Sequence, residues 1–384
     1  MSDPYGPPTV PSHRHPGRSS RLVVGGAAAA VVLVLVAAAA IFELHGRGGA
    51  APDPAALDQG ATVAPSSTGG AAEPSGPASA AVKPAASKSA AGKSTSTRSS
   101  PPAKSAGAST GGVPAPPAGF TLTYSDAFDG ASGSGLSTSK YRYDTGAGSS
   151  FGTGEIETAT SSTRNVFHDG DGHLVIRALH AGSDPGSGWT SGRFETQSAS
   201  FGAAKGGKVR MQASIEQPSV TRSNGAGYWP AFWMLGNGLR NGGTWPKVGE
   251  VDILEDINGR SSVFGTLHCG VNPGGPCNEA SGLGSGEKAC AGCQTGFHTY
   301  AVEIDRSSSP ERIRWFLDGA NYFTLSQDRV DASTWSNAVD HPFFIIFDLA
   351  MGGGFPAAFG GGPNGSTVSG GAMKIDYLAV YNSR

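Results

Sequence analysis

From Phe42 to Phe120 the chain has no aromatic residue between those two, and the stretch is Ala, Pro, Ser, Gly and Thr with a few Lys. That absence excludes a packed core, because too little apolar surface is on offer to offset the entropy of ordering the chain. Charge of one sign is missing as well: Lys and Arg are scattered, the formal net charge is −2 and no basic stripe forms, which excludes nucleic acid as a partner. A neutral polymer suits such a surface better. Nor is there a long, capped stretch at helical period after Phe120, which argues against a helical domain.

Cysteine is scarce and confined to one Gly-rich stretch, at Cys269, Cys277, Cys290 and Cys293. A four-cysteine zinc site would need a reducing compartment, whereas disulfides fit an exported domain; the N-terminus favours disulfides, with three connectivities open. The one long apolar run is at that end. Leu22 to Phe42 carries no charge and would span roughly 31 Å as a helix, enough for a bilayer core. Arg14, Arg18 and Arg21 precede it, so the positive-inside rule puts residues 1–21 in the cytoplasm and everything after the run outside. The expectation is a transmembrane anchor over 22–43, with a cleaved signal peptide as the alternative, since Ala37 to Ala40 suit a signal peptidase. Residues 44–118 then read as a disordered linker on the order of 45 Å in span, and 119–384 as the folded domain, outside the membrane, anchored or secreted, and monomeric.

That domain holds all six Trp and all four Cys. Its apolar residues alternate at period two: Val209, Met211, Ala213 and Ile215; Tyr300, Val302 and Ile304; Ile313, Trp315 and Leu317. Turn clusters such as Asp169-Gly170-Asp171-Gly172 and Asp318-Gly319 separate them. Many short strands with Gly-rich turns predict an all-β sandwich or jelly roll. In such a sandwich Trp229, Trp233, Trp245 and Phe355 are either core or platforms for sugar rings.

Glu250, Asp252 and Glu255 stand in the run Glu250-Val251-Asp252-Ile253-Leu254-Glu255, whose Val, Ile and Leu predict a buried strand, where unpaired acids are costly. Glu250 and Asp252 share one face of a strand, but Glu255, five residues on, points to the other. One extra residue taken up as a β-bulge restores the phase. Four effective steps then separate the two Glu backbones by about 13 Å, and their side chains close roughly 8 Å of it, bringing the carboxyls to about 5 Å. This is the spacing of a retaining glycosidase, in which one carboxylate attacks the anomeric carbon and the other serves as acid, then base. Asp252 between them would hydrogen-bond Glu250 and, by its charge, raise a neighbouring carboxyl's pKa. A calcium or magnesium site on these acids is the rival, poorly served by ligands from one strand.

With this motif the sequence resembles glycoside hydrolase family 16, in particular its laminarinase-like members. Further support comes from Thr190-Ser191-Gly192-Arg193, the run Trp229 to Leu235, Phe297-His298-Thr299-Tyr300 and the closing run Ile375 to Tyr381. The resemblance implies a jelly roll of the concanavalin A-like lectin/glucanase kind. It makes Glu250 the nucleophile, Glu255 the acid/base and Asp252 the assisting carboxylate. It places Trp245 and His268 beside the same sugar, and Arg193, Asn165, Trp229 and Trp233 along the glycone side of the cleft. The implied reaction is retaining endo-hydrolysis of β-1,3-linked or mixed β-1,3-1,4-linked glucan, with no cofactor required. It also implies a structural calcium with Asp376 as a ligand. The Cys269 to Cys293 segment departs from the better-known laminarinases, which leaves β-1,3-galactan as an alternative substrate, transglycosylation as an alternative outcome and a lectin-like binding module as a non-enzymatic one.

Overall fold

The computed structural model describes residues 112–383. The apolar run Leu22–Phe42 and the expected linker up to residue 111 lie outside the described residues; within them, no helix is long and apolar enough to cross a membrane. The last stretch of the expected linker lies along the folded domain, where Val113 and Phe120 pack against Tyr377, Ala379 and Tyr381 and the Tyr381 hydroxyl donates to the Pro114 carbonyl at 3.0 Å.

Two antiparallel eight-stranded sheets make the domain, as the period-two alternation predicts. The first runs, edge to edge, through Leu283–Gly284, Ser262–His268, Glu250–Glu255, Tyr228–Gly236, Phe343–Met351, Arg193–Thr196 and Tyr141–Tyr143, with Lys288–Ala289 beside Ser262–His268. In the second, Ala320–Ser326, Arg312–Leu317, His298–Asp305, Lys208–Glu216, Ala372–Ser383, Leu174–Arg177 and Val166–His168 follow one another, and Thr121–Asp126 lies along Ala372–Ser383. A smaller four-stranded sheet joins Gly146–Ala147, Thr158–Ala159, Trp189–Ser191 and Leu179–His180.

The core fills the space between the large sheets. Val209, Met211, Ala213 and Ile215 reach it from the second sheet; Phe343, Ile345, Phe347, Leu349 and Met351 reach it from the first. All nine residues of Phe343–Met351 are buried, yet alternation still sorts them. Phe344 and Ile346 belong to a separate cluster with Leu235, Trp233 and Trp245 on the face turned away from the second sheet. That second face carries the acids.

The cysteines form two disulfides, Cys269–Cys277 and Cys290–Cys293, so the four-cysteine zinc alternative is not realised. Tyr300 lies under the second pair, its hydroxyl 2.8 Å from Cys293 Sγ.

Candidate active site

The five-residue gap between Glu250 and Glu255 is resolved by a bulge, as expected. Leu235 pairs with Glu250, Trp233 with Asp252, Phe232 with Leu254 and Ala231 with Glu255, leaving Ile253 as the extra residue. The same slip appears against the other neighbour, where Thr266 faces Asp252 and Phe264 faces Glu255. Leu235, Trp233 and Ala231 are two apart, so the three acids opposite them share one face. Val251, Ile253 and Leu254 all go to the core. The bulge therefore lets two consecutive apolar residues be buried while Glu255 returns to the side of Glu250. Trp315 Nε1 donates to the Asp252 carbonyl at 2.7 Å from inside the core.

Each acid has a distinct environment. Glu250 Oε2 accepts from Trp245 Nε1 at 3.1 Å, and Glu255 Oε1 accepts from Trp229 Nε1 at 3.0 Å. His268, directly across the ladder from Glu250, places Nε2 3.4 Å from Asp252 Oδ2 and 3.9 Å from Glu250 Oε1. Behind it, Nδ1 meets Glu279 Oε2 at 2.7 Å, while Glu279 Oε1 accepts from the Cys269 amide at 2.8 Å.

Burial, and then the charge of Asp252, push Glu250 up to about 8; His268 and Arg193 pull it back. The same two causes, in the same order, raise Glu255 well above the ordinary carboxyl range, with His268 and the Trp229 indole opposing them. Burial disfavours a charged His268, but its contacts with Asp252 and Glu279 and the charges of Asp252 and Glu250 outweigh it, so the imidazolium is held well above its usual range. A protonated Glu255 is what a proton donor to a leaving oxygen requires.

Trp229, Trp233, Trp245, Arg193 and His268 all come to this face. Trp233 Nε1 donates to Asp348 Oδ1 at 2.8 Å, and the Arg193 guanidinium lies 4.9 Å from the Trp233 ring and 4.1 Å from that of Phe151. Phe355 packs edge-on to Trp229 and to Phe264, beside Glu255. Asn165 is set apart from this group: it is 2% exposed, and its amide is engaged with Thr160, the Arg177 carbonyl and Thr190, where it braces the small sheet.

Asp376 is buried on Ala372–Ser383, at the point where that strand slips against Lys208–Glu216. It joins no group of three or more His, Cys, Asp or Glu side chains within common ligand reach among the described residues.

Two acids were missed from sequence. Asp348 stands two strands from the motif, across the ladder from both Ala231 and Arg193, and burial pushes it up to about 6. Glu279 comes from the segment beginning at Cys269; its place two residues after Cys277 was the one available signal.

Residues 219–295, which include the acids and the first cysteine loop, match the description "XgeA-like, catalytic GH16 domain". A crystal structure of an endo-1,3-beta-glucanase from Streptomyces sioyaensis is similar with a TM-score of 0.67 and 48% identity, over 71% of this chain and 99% of that one. A beta-glucanase of Rhodothermus marinus is 31% identical over 275 residues, covering 68% of this chain and 85% of that protein. The chain belongs to glycoside hydrolase family 16. A glucan endo-1,3-beta-glucosidase A1 of Niallia circulans is also similar, at 32% identity over 297 residues, although the match spans only 40% of that longer protein. In this family 16 glycoside hydrolase three acids thus share one face of a bulged strand, two of them with proton affinities raised by burial and by the charge of the third.

Proposed function

We propose that the domain is a retaining, endo-acting glucanase that cleaves β-1,3-linked or mixed β-1,3-1,4-linked glucan by double displacement. The observation that carries this is the bulge at Ile253, which brings Glu250, Asp252 and Glu255 to one face in unequal environments. The reactive form is the one in which Glu250, raised to about 8, has already given its proton to solvent while Glu255 keeps its own; in the first step Glu255 gives that proton to the leaving glycosidic oxygen while a Glu250 carboxylate oxygen bonds to the anomeric carbon. In the second, Glu255, now ionised, takes a proton from water as the water oxygen displaces Glu250. Asp252 raises Glu255's proton affinity, while Trp229 and Trp245 hold the two Glu side chains from the sides. The named activities of the relatives support the glucan assignment.

Two disulfides support an oxidising compartment, and the uncharged run after Arg14, Arg18 and Arg21 supports export with a membrane anchor. A calcium at Asp376, implied by the resemblance, would draw most of its ligands from neutral oxygens, since among the described residues Asp376 joins no group of three or more His, Cys, Asp or Glu side chains.

The test is product sizing on laminarin, mixed-linkage β-glucan and β-1,3-galactan, with and without an added oligosaccharide acceptor. Oligosaccharides released from the glucans and not from galactan are expected. Binding to laminarin with no reducing ends released from any polymer would leave a lectin-like module instead.

A further inference from the structure

His268 touches two of the three motif acids, yet nothing in the catalytic strand holds its other edge. That edge is held by the disulfide-closed segment. The loop leaves the strand at Cys269, is tied back on itself by Cys269–Cys277, and is closed again where Gly274 and Glu279 exchange backbone hydrogen bonds of 2.6 Å. Glu279 emerges from this neck with its side chain wholly shielded from solvent, at 0% exposure, so water cannot stand in for its partners. One carboxylate oxygen takes the Cys269 amide and the other meets His268 Nδ1. Three residues on, Gly282 lies against the same ring: a Cβ there would come within 3.0 Å of His268 Cε1 and Nδ1, and its φ of +68° suits glycine. Trp245 approaches from another side, with its ring 5.8 Å from the imidazole.

We propose that Glu279 is a positioning residue of the active site: by holding His268 at Nδ1 it aims Nε2 at Asp252 and Glu250, so that the cysteine loop sets the orientation and charge of the catalytic cluster. The inference rests on the hydrolase reading above. The groups facing His268 are Asp252 and Glu250 from the catalytic strand and Glu279 from the loop, with Glu255 and Arg193 further along the same face. With its Nδ1–H donated to Glu279, the ring presents Nε2–H towards the acids and cannot take the opposite tautomer or flip without stranding the Glu279 carboxylate in a dry pocket. A glutamine at 279 has the same shape but offers one acceptor where the carboxylate offers two. It therefore satisfies the Cys269 amide or His268, not both.

The test uses the full-length protein as wild type, Glu279→Gln, His268→Gln and the double variant. Nitrogen NMR of the wild-type His268 ring should show Nδ1 protonated and slow to exchange throughout the neutral range; a freely exchanging Nδ1–H would overturn the proposal without any variant. In Glu279→Gln the ring should lose its proton at lower pH than in wild type, and kcat/KM on laminarin should fall at least tenfold. In the His268→Gln background the same change should cost less than twofold, because its route to the acids is already gone. An unchanged His268 titration in Glu279→Gln, or a full tenfold loss in the His268→Gln background, would reduce Glu279 to a strut for the Cys269 amide. Absence of glucan cleavage by the wild type would defeat the glucanase reading alone, and the His268 titration would still decide the role of Glu279.

Discussion

The indole Nε1 of Trp315 donates to the carbonyl oxygen of Asp252 across 2.7 Å, from the second sheet to the first through the core. The bulge that phases the acids takes this carbonyl out of register with its neighbours, and Trp315 supplies its partner in a place water does not reach.

Trp315→Phe keeps much of the apolar ring and leaves a buried carbonyl without its donor, which costs about 1–3 kcal/mol. Thermal unfolding should show a midpoint lower by several degrees. Trp189→Phe, which removes a similar indole bond, to the Pro185 carbonyl, serves as the comparison. Only Trp315→Phe should also lower kcat; equal kcat in both variants would mean the bulge holds its shape without Trp315.

With Glu255 as the proposed acid, the alkaline limb of the pH profile is expected to report its ionisation, and two neighbours act on it with opposite sign. Trp229 stabilises the ionised carboxylate by hydrogen bonding, so Trp229→Phe moves the limb to higher pH. Asp252 opposes ionisation by its charge, so Asp252→Asn moves the limb to lower pH. Losing the Trp229 bond should also cost roughly tenfold or more in kcat, the worth of one hydrogen bond to a charged group. Both profiles are measured as kcat/KM on laminarin; limbs that move together would detach Glu255 from the acid role.

If Glu250 is the nucleophile, as proposed, its removal should be repairable from solution. Glu250→Gly is expected to lose turnover and to regain it with azide, yielding an α-linked azide from a β-linked substrate. Glu255→Ala should retain far more activity on activated aryl glycosides than on laminarin, because good leaving groups need little proton donation. Full activity of Glu250→Gly without azide would remove Glu250 from the reaction.

The disulfides should separate by effect. Closing a loop as short as Cys269–Cys277 is worth roughly 2–3 kcal/mol on chain-entropy grounds. Cys269→Ser with Cys277→Ser should lower kcat as well as the unfolding midpoint, since Glu279 follows directly. Cys290→Ser with Cys293→Ser should lower the midpoint and leave kcat nearly unchanged. Paired kinetics and thermal unfolding distinguish the two.

The motif was legible in the sequence because side-chain direction in a strand has a period of two, and a five-residue gap between two acids breaks it. The same periodicity exposed the core strands, from Val209 to Ile215 and from Tyr300 to Ile304. What stayed hidden depends on contacts between distant segments. Asp348 enters the site through strand pairing with Arg193 and Ala231, each more than a hundred residues away, and no local pattern announces it. For Asn165 the resemblance implied a place on the glycone side, and no local pattern announces that Thr160, Arg177 and Thr190 engage its amide. Glu279 is one acid in a Gly-rich loop, and only the path set by Cys269–Cys277 turns it towards His268.

The most direct measurement of the central claim is proton NMR of the anomeric signals as the enzyme begins to cut laminarin. A nucleophilic Glu250 and an acid/base Glu255 on one face predict that the β-anomer of the new reducing end appears first and the α-anomer only later, by mutarotation. First appearance of the α-anomer would show single displacement by water and contradict the assignment of Glu250.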